Sequence, residues 1–231
     1  MSPTAESIVL CLSAELPCHL DGQLTVQRMK DSGSRNWRQM EWIGWYLEET
    51  GLDIIQRALG GRRGPSFGNT EFDILIETPM DLKAHVTHDY KGSRNKFTPL
   101  NDQSAIINAI EKYGRIGFVI FSGQAEFDHD GSFKQWHDTI KGKKSKYVVQ
   151  RELDGRPSRM RKSGFTLEEI VIVEFTSTSD LDQGLREGWI KPFSQGRNSD
   201  GTPREPKFML SLGDVPLEYI TARADISSVN Q

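Results

Sequence analysis

The pattern of apolar and polar positions alternates between strand-like and helix-like segments along the whole chain. Residues 115–123 and 167–175 (RIGFVIFSG and LEEIVIVEF) are short, nearly continuous apolar runs, which predict buried strands. Residues 101–114 carry isoleucines at helical spacing, which predicts an amphipathic helix. This mixture predicts an α/β (α+β) fold in which a central mixed β-sheet is flanked by helices.

A second helix is predicted in NWRQMEWIGWYLEETG. Asn36 is a favourable N-cap, Gly51 is a typical C-terminal stop, and Met40, Ile43 and Leu47 would face a core. Weaker patterns predict helices in 5–20 and 130–142, a helix or turn in 180–190, a last strand in 207–212, and polar loops in 21–35, 60–69, 88–100 and 193–206.

The segment 71–87, EFDILIETPMDLKAHVT, predicts a hairpin of two strands that carries ionisable side chains on one face. If the strands pair about Glu77, Asp73 lies across from Asp81, with Lys83 on the same face and an apolar face behind them. Two opposed carboxylates repel each other. A cation such as Mg²⁺, which prefers oxygen ligands, removes the conflict. The alternative is a plain salt bridge between Asp73 and Lys83 on a solvated sheet face.

Charge is distributed unevenly over the 231 residues. The chain carries a formal net charge of -3, so a basic field over the whole surface is excluded. Residues 141–162, however, contain nine lysines and arginines against two acidic residues, a local charge of +7, which is typical of a nucleic-acid surface. The residues predicted to contact DNA are Lys143, Lys144, Lys146, Arg156, Arg159, Arg161 and Lys162, together with Arg62 and Arg63 ahead of the hairpin.

The order of these elements resembles the PD-(D/E)xK nuclease superfamily over roughly residues 36–122. A helix with Glu41, Tyr46-Leu47 and Gly51 precedes Glu71-Phe72-Asp73-Ile74, and Asp81-Leu82-Lys83 follows. The resemblance implies a restriction-endonuclease-like core. It also implies that Asp73 and Asp81 are metal ligands, that Lys83 is the catalytic lysine, and that Glu41 is a catalytic and metal-binding carboxylate on the helix. Glu48 is the rival of Glu41.

Two features depart from the superfamily pattern. Phe72 stands where a proline often precedes the first aspartate, and seven residues separate Asp73 from Asp81, which is short for the family. Glu77 is therefore an alternative second ligand. Asp81 is preferred because a lysine follows it two residues on.

The resemblance favours a sequence-specific, Mg²⁺-dependent endonuclease of the type II restriction kind, which leaves 5′-phosphate ends on double-stranded DNA and acts as a homodimer. A repair or recombination nuclease on the same fold, such as a resolvase, is the second hypothesis. A DNA-binding protein without catalysis is the third.

Organisation and compartment follow from coarser features. Residues 1–231 are predicted to form one nuclease domain, with a core over about 36–175 and an extension over 176–231. Two cysteines are too few for a disulfide framework. The apolar segments are too short to span a membrane, so the expected location is the cytoplasm.

Overall fold

The computed structural model describes residues 3–64, 71–142, 144, 146–197 and 201–226, and only the backbone of Lys146 and Tyr147. The helices in this part of the chain are α1 (Pro3–Glu15), α2 (Gly22–Asp31), α3 (Trp42–Leu59), α4 (Gln103–Tyr113), α5 (Ser132–Lys141), α6 (Lys146–Leu153) and α7 (Thr178–Glu187). The strands are β1 (His19–Asp21), β2 (Arg62–Arg63), β3 (Ile74–Leu75), β4 (Pro79–Val86), β5 (Phe97–Asp102), β6 (Ile116–Phe127), β7 (Lys162–Phe175), β8 (Ile190–Phe193), β9 (Lys207–Ser211) and β10 (Ile220–Asp225). Short 3₁₀ helices cover Asn36–Arg38 and Leu217–Tyr219.

A seven-stranded mixed sheet forms the centre of the fold. Six of its strands follow the order β1-β7-β6-β4-β3-β2, and β10 pairs with β7 beside β1. Strands β4 and β6 run parallel, whereas the other pairs are antiparallel. A separate antiparallel sheet has the order β5-β9-β8. The predicted central mixed sheet with flanking helices is confirmed.

Two apolar clusters cover opposite faces of the large sheet. Along β6, Val119 and Phe121 pack with residues of α1 and α3, whereas Phe118 and Ile120 pack with residues of α4 and the small sheet. Successive side chains of a strand point to opposite faces, so a strand covered on both faces is apolar throughout. This burial explains the unbroken apolar run in the sequence. It also means that the β4 side chains on the second face lie under the small sheet.

The helix predicted from Asn36 to Gly51 has different bounds. Asn36 begins a 3₁₀ turn, and α3 continues past Gly51 as far as Leu59. The glycine is needed for packing, since a Cβ there would lie 2.9 Å from Leu82 Cδ2 and 3.2 Å from Phe121 Cζ. The prediction of a helix end was wrong because a glycine that permits close contact in a helix looks, in sequence, like a terminal glycine.

Residues 21–35, predicted as a polar loop, contain α2. The Asp21 side chain accepts a hydrogen bond from the Leu24 backbone N–H at 2.8 Å, which caps the helix. Val26 and Met29 are buried against the first apolar cluster. The loop prediction was wrong because tertiary burial of a few apolar side chains outweighs the polar composition.

The C-terminal residues belong to both sheets. Strands β8 and β9 complete the small sheet with β5, and β10 pairs with β7. β5 begins at Phe97, inside a stretch predicted to be irregular, because its partner β9 is distant in sequence. No helix in the described ranges is long and apolar enough to cross a membrane.

Candidate active site

The β3–β4 hairpin has the register that the sequence predicts. Ile74 pairs with Met80 and Leu75 with Pro79, which centres the turn on Glu77. Asp73 directly precedes β3, and its backbone N–H donates to Met80 O at 2.9 Å, so it lies beside the start of β4 without a regular pairing to Asp81. The regular part of the first strand is shorter than predicted, since β3 contains two residues.

Strand β4 directs its acidic and basic side chains into a covered space. Asp81 and Lys83 are in register with Phe118 and Ile120 of β6, which belong to the second apolar cluster. Asp81 is only 2% exposed. Its carboxylate forms an ion pair with Lys83 and accepts a hydrogen bond from the Asn101 side chain of β5. The hairpin therefore does not present these groups on a solvated sheet face.

Asp73 is held at the open end of the same hairpin. Its Oδ2 accepts a hydrogen bond from the Leu82 backbone N–H at 2.7 Å. The Asp81 carboxylate is the strongest charge that acts on Asp73. Neighbouring carboxyl groups disfavour ionisation of each other, and the Lys83 ammonium offsets this effect only in part.

Helix α3 brings a third carboxylate to this place. Gly44 lies against Ala84, and Gly51 lies against Leu82, so α3 crosses closely over β4. Glu48 is four residues after Gly44 and three before Gly51, which places it on the same helix face. The charges that act on Glu48 include Asp73, Lys83 and Asp81.

The electrostatics of these residues show a surplus of negative charge. Burial and the nearby Asp73 carboxylate raise the pKa of Glu48 to about 8. Burial and the Asp81 carboxylate raise the pKa of Asp73 to about 6. Burial alone would lower the pKa of Lys83, but Asp81 and Asp73 outweigh it and raise the pKa above its usual value. Three carboxylates against one ammonium leave a formal charge of -2 when all are ionised.

A second lysine lies at the edge of this group. Burial and the positive charge of Lys83 lower the pKa of Lys207, and its ammonium is 3.8 Å from an Asp102 oxygen. Lys207 is on β9, so the small sheet contributes a cation as well as the Asn101 amide.

The donor set fits a hard divalent cation. Asp81 Oδ1 is buried, and the Lys83 ammonium is its partner. Carboxylate oxygens and a charge of -2 match the preferences of Mg²⁺. The described residues contain no group of three or more His, Cys, Asp or Glu side chains placed to hold a metal ion. Asp73, Asp81 and Glu48 are therefore candidate ligands only by their donor chemistry and by the charges that they exert on one another.

Glu41, the predicted helix ligand, lies elsewhere. It is the N-cap residue of α3, and its carboxylate forms an ion pair with Lys162 of β7. Glu48 is among the main charges that act on Lys83, whereas Glu41 is not among the main charges on either Lys83 or Asp73. Of the two glutamates, the structure brings Glu48 to the hairpin.

The predicted DNA-binding residues have several carboxylate partners. Lys144 pairs with Glu152 at 2.7 Å, Arg156 with Asp154, Lys162 with Glu41 and Arg63 with Asp53, while Arg62 lies over the Phe72 ring at 6.0 Å. Arg161 is buried and pairs with Asp138. The sequence predicts that Arg161 extends from the surface toward DNA. In the structure its side chain is turned inward. Arg159 remains exposed, whereas Lys143 and the Lys146 side chain lie outside the described residues.

Asn101 was not singled out as a site residue by the sequence, and Glu48 was named only as the rival of Glu41. Asn101 follows the motif by 18 residues and occurs in a segment with no strand pattern, so nothing local signals its contact with Asp81. Glu48 has a signal in retrospect, since it stands between two glycines on one helix face.

Comparison of this chain with known protein families, with curated proteins and with solved structures finds no match. The resemblance to a nuclease superfamily therefore stays a prediction that rests on the motif order and on the geometry described above.

Proposed function

We propose that this protein is a Mg²⁺-dependent endonuclease that hydrolyses phosphodiester bonds of double-stranded DNA, of the type II restriction kind. The observation that carries the proposal is the group of Asp73, Asp81 and Lys83 at the hairpin: Asp81 is buried and paired with Lys83, and the Asp81 and Lys83 charges both act on Asp73. A structural ion pair would need one carboxylate for one lysine. This site has more carboxylates than lysines. The carboxylates repel one another and destabilise the fold unless a cation is bound.

In this proposal Asp73, Asp81 and Glu48 would hold the ion. The ion would supply polarisation of a phosphate oxygen and a more acidic water at this place. Lys83 donates hydrogen bonds to the attacking water and to the phosphate as negative charge develops. Water attacks phosphorus, and the bond from phosphorus to the 3′-oxygen breaks. The products are a 5′-phosphate and a 3′-hydroxyl end.

Asn101 and the small sheet act as support for these groups. The Asn101 amide fixes one Asp81 oxygen, so that the other oxygen is oriented toward the lysine and the hairpin. Burial by β5 also excludes water from one side of the site, which strengthens its electrostatic interactions.

Sequence-specific recognition has to come from segments near this core. The described residues between 176 and 226 contribute β8 and β9 to the small sheet and β10 to the large one, and within this described part they do not form a separate recognition domain. Residues 144–161, with exposed Arg159 and half-buried Ser158, are a better candidate for contact with bases. Dimerisation would place two such segments on a palindromic site.

The test is incubation of the purified protein with phage DNA, with Mg²⁺ or with EDTA. Discrete fragments in Mg²⁺ alone support a restriction endonuclease. Cutting confined to branched or damaged DNA supports a repair or recombination nuclease on the same site. A mobility shift without cutting at any Mg²⁺ concentration overturns catalysis and leaves a DNA-binding protein.

A further inference from the structure

A charged cavity lies at the N-terminal end of α3, before Glu48 along the helix. Its volume is about 470 Å³, and it is bounded by the 3₁₀ turn at Asn36–Arg38, the start of α3, the end of α5, and the segment around α6. The basic residues that line it are Arg38, Lys141, Lys144, Arg151, Arg159 and Arg161. Among the described residues, two carboxylates also line it, those of Glu41 and Asp138.

Asp138 is shared among three cations. Arg161 Nη2 is 3.1 Å from its Oδ1, Lys141 Nζ is 3.9 Å from the same oxygen, and Lys134 Nζ is 3.6 Å from Oδ2. Glu41 is occupied by Lys162 and Glu152 by Lys144. One carboxylate therefore serves three positive side chains, and the local charge remains positive.

At Arg161 the excess positive charge of the cavity destabilises the fold, because this side chain is buried. It is only 6% exposed, and within the described part of the chain its Nε and Nη1 have no hydrogen-bond partner. A buried charged group without its hydrogen bonds destabilises a protein unless a ligand or partner supplies them. A guanidinium offers parallel N–H groups that match the oxygens of a phosphate.

Lys141 shows the same surplus independently. Its side chain is only 16% exposed. Burial and the positive charge of Arg161 lower the pKa of Lys141 to about 8, and Arg38 adds to this effect. Arg38 is exposed and donates from Nη1 to Lys141 O at 3.3 Å, so it stands at the mouth of the cavity.

We propose that this cavity is an anion site that binds a phosphate group, with Arg161 and Lys141 at its base and Arg38 at its rim. Within the proposed nuclease function, on which the source of the phosphate rests, the ligand is a phosphate of the DNA strand, either a backbone diester or a 5′-terminal monoester. From Glu41, at the cavity, to Glu48, at the hairpin, α3 rises about 10 Å, since each residue adds about 1.5 Å. One strand can thus reach both sites.

The test measures binding of inorganic phosphate by calorimetry at low ionic strength, in EDTA, with the wild type and matched variants. Arg38→Gln and Arg161→Met remove cations of the cavity. Arg156→Gln is the control, because it removes an exposed arginine of the same segment that pairs with Asp154. We expect phosphate binding that weakens about tenfold or more in Arg38→Gln and in Arg161→Met, and less than twofold in the control.

Absence of phosphate binding by the wild type overturns the proposal. An equal loss of phosphate affinity in the Arg156→Gln control also overturns it, because the binding would then come from the overall positive charge of the segment. If Arg161→Met does not fold, Arg38→Gln and Lys141→Gln decide, because both residues are at or near the surface of the cavity. Asp81→Asn should bind phosphate as the wild type does, which separates this site from the hairpin.

Two oligonucleotides identify the source of the phosphate. A single strand with a 5′-phosphate and the same strand without it are titrated in EDTA. A preference for the phosphorylated strand that Arg38→Gln abolishes assigns a terminal monoester. Equal weakening of both strands by Arg38→Gln assigns a backbone diester. Because no step requires cleavage, a protein that binds phosphate but never cuts DNA refutes the nuclease function and leaves the anion site intact.

Discussion

The hairpin site and the anion cavity are both reached from α3, but their charges are unbalanced in opposite directions. At the hairpin, Asp73, Asp81 and Glu48 share Lys83. At the cavity, several cations share Asp138. Ion pairs on the surface contribute little to stability, so an excess of one charge there has little cost. Buried charges, in contrast, need partners of the opposite sign. The sign of each surplus is the reason for the two proposals: a cation at the hairpin and an anion at the cavity.

The two regions also differ in how much the sequence reveals. The hairpin register follows from alternation of side chains and from the turn, so Asp73, Asp81 and Lys83 were predicted together. The basic segment was predicted from a charge count alone. A count does not show that Lys144 and Arg156 pair with neighbouring carboxylates, or that Arg161 turns inward.

The largest effect is expected from the hairpin itself. Lys83→Met and Asp81→Asn should each reduce Mg²⁺-dependent cleavage about a thousandfold, since each removes a group that stabilises developing charge or holds the ion. DNA binding in EDTA should persist. The measurement is cleavage rate beside a gel-shift titration.

The matched controls for this prediction are Lys96→Met and Asp214→Asn, which break an exposed ion pair of 2.7 Å. Both should cut within about threefold of the wild-type rate, as a surface pair contributes little. Full activity in Lys83→Met would show that Lys83 takes no part in cleavage and would contradict the proposed site at the hairpin.

A smaller effect should distinguish the two helix glutamates. Glu48→Gln should raise the Mg²⁺ concentration for half-maximal cleavage about 10- to 100-fold, because ligands and their supports contribute on this scale. Glu41→Gln should leave that concentration unchanged, since Glu41 pairs with Lys162. A larger effect of Glu41→Gln than of Glu48→Gln on the Mg²⁺ requirement would instead assign Glu41 as the metal ligand on the helix.

The sequence left this choice open for a physical reason. Glu41 and Glu48 are seven residues apart and so lie on one helix stripe. What selects Glu48 is the crossing of α3 over β4 at Gly44 and Gly51, a tertiary contact. The same contact misled the prediction of the helix end. Long-range packing, rather than local pattern, decided both questions.

Stability should depend on pH through the raised carboxyl pKa values. Between the ordinary pKa of 4.5 and the folded value of about 8, Glu48 binds a proton in the native state but not in the unfolded chain. Without metal, stability therefore falls as pH rises through this window, and Asp73 adds the same trend up to about pH 6. The melting temperature in EDTA should drop between pH 5 and pH 8.

Glu48→Gln provides the control, because it should flatten the fall between about pH 6 and pH 8, while Glu41→Gln keeps the wild-type slope. Mg²⁺ should raise the melting temperature more at pH 8 than at pH 6, since protons compete with the ion for the same oxygens. A wild-type melting temperature that rises from pH 6 to pH 8 in EDTA would contradict the negative surplus.

The smallest effect concerns Asn101, which positions Asp81 from the neighbouring sheet. Its amide donates to the Asp81 carboxylate, and a hydrogen bond to a charged group contributes about 1.5–3 kcal/mol. Asn101→Leu should slow cleavage about tenfold at neutral pH. Loss of this donor favours the protonated pair, so the acidic limb of the pH–rate profile should move to higher pH and raising the pH should restore part of the rate. A loss of cleavage rate that is the same at every pH would instead mean that Asn101 serves only to pack β5 on β4. The small sheet would then have no influence on the charges of Asp73 and Asp81.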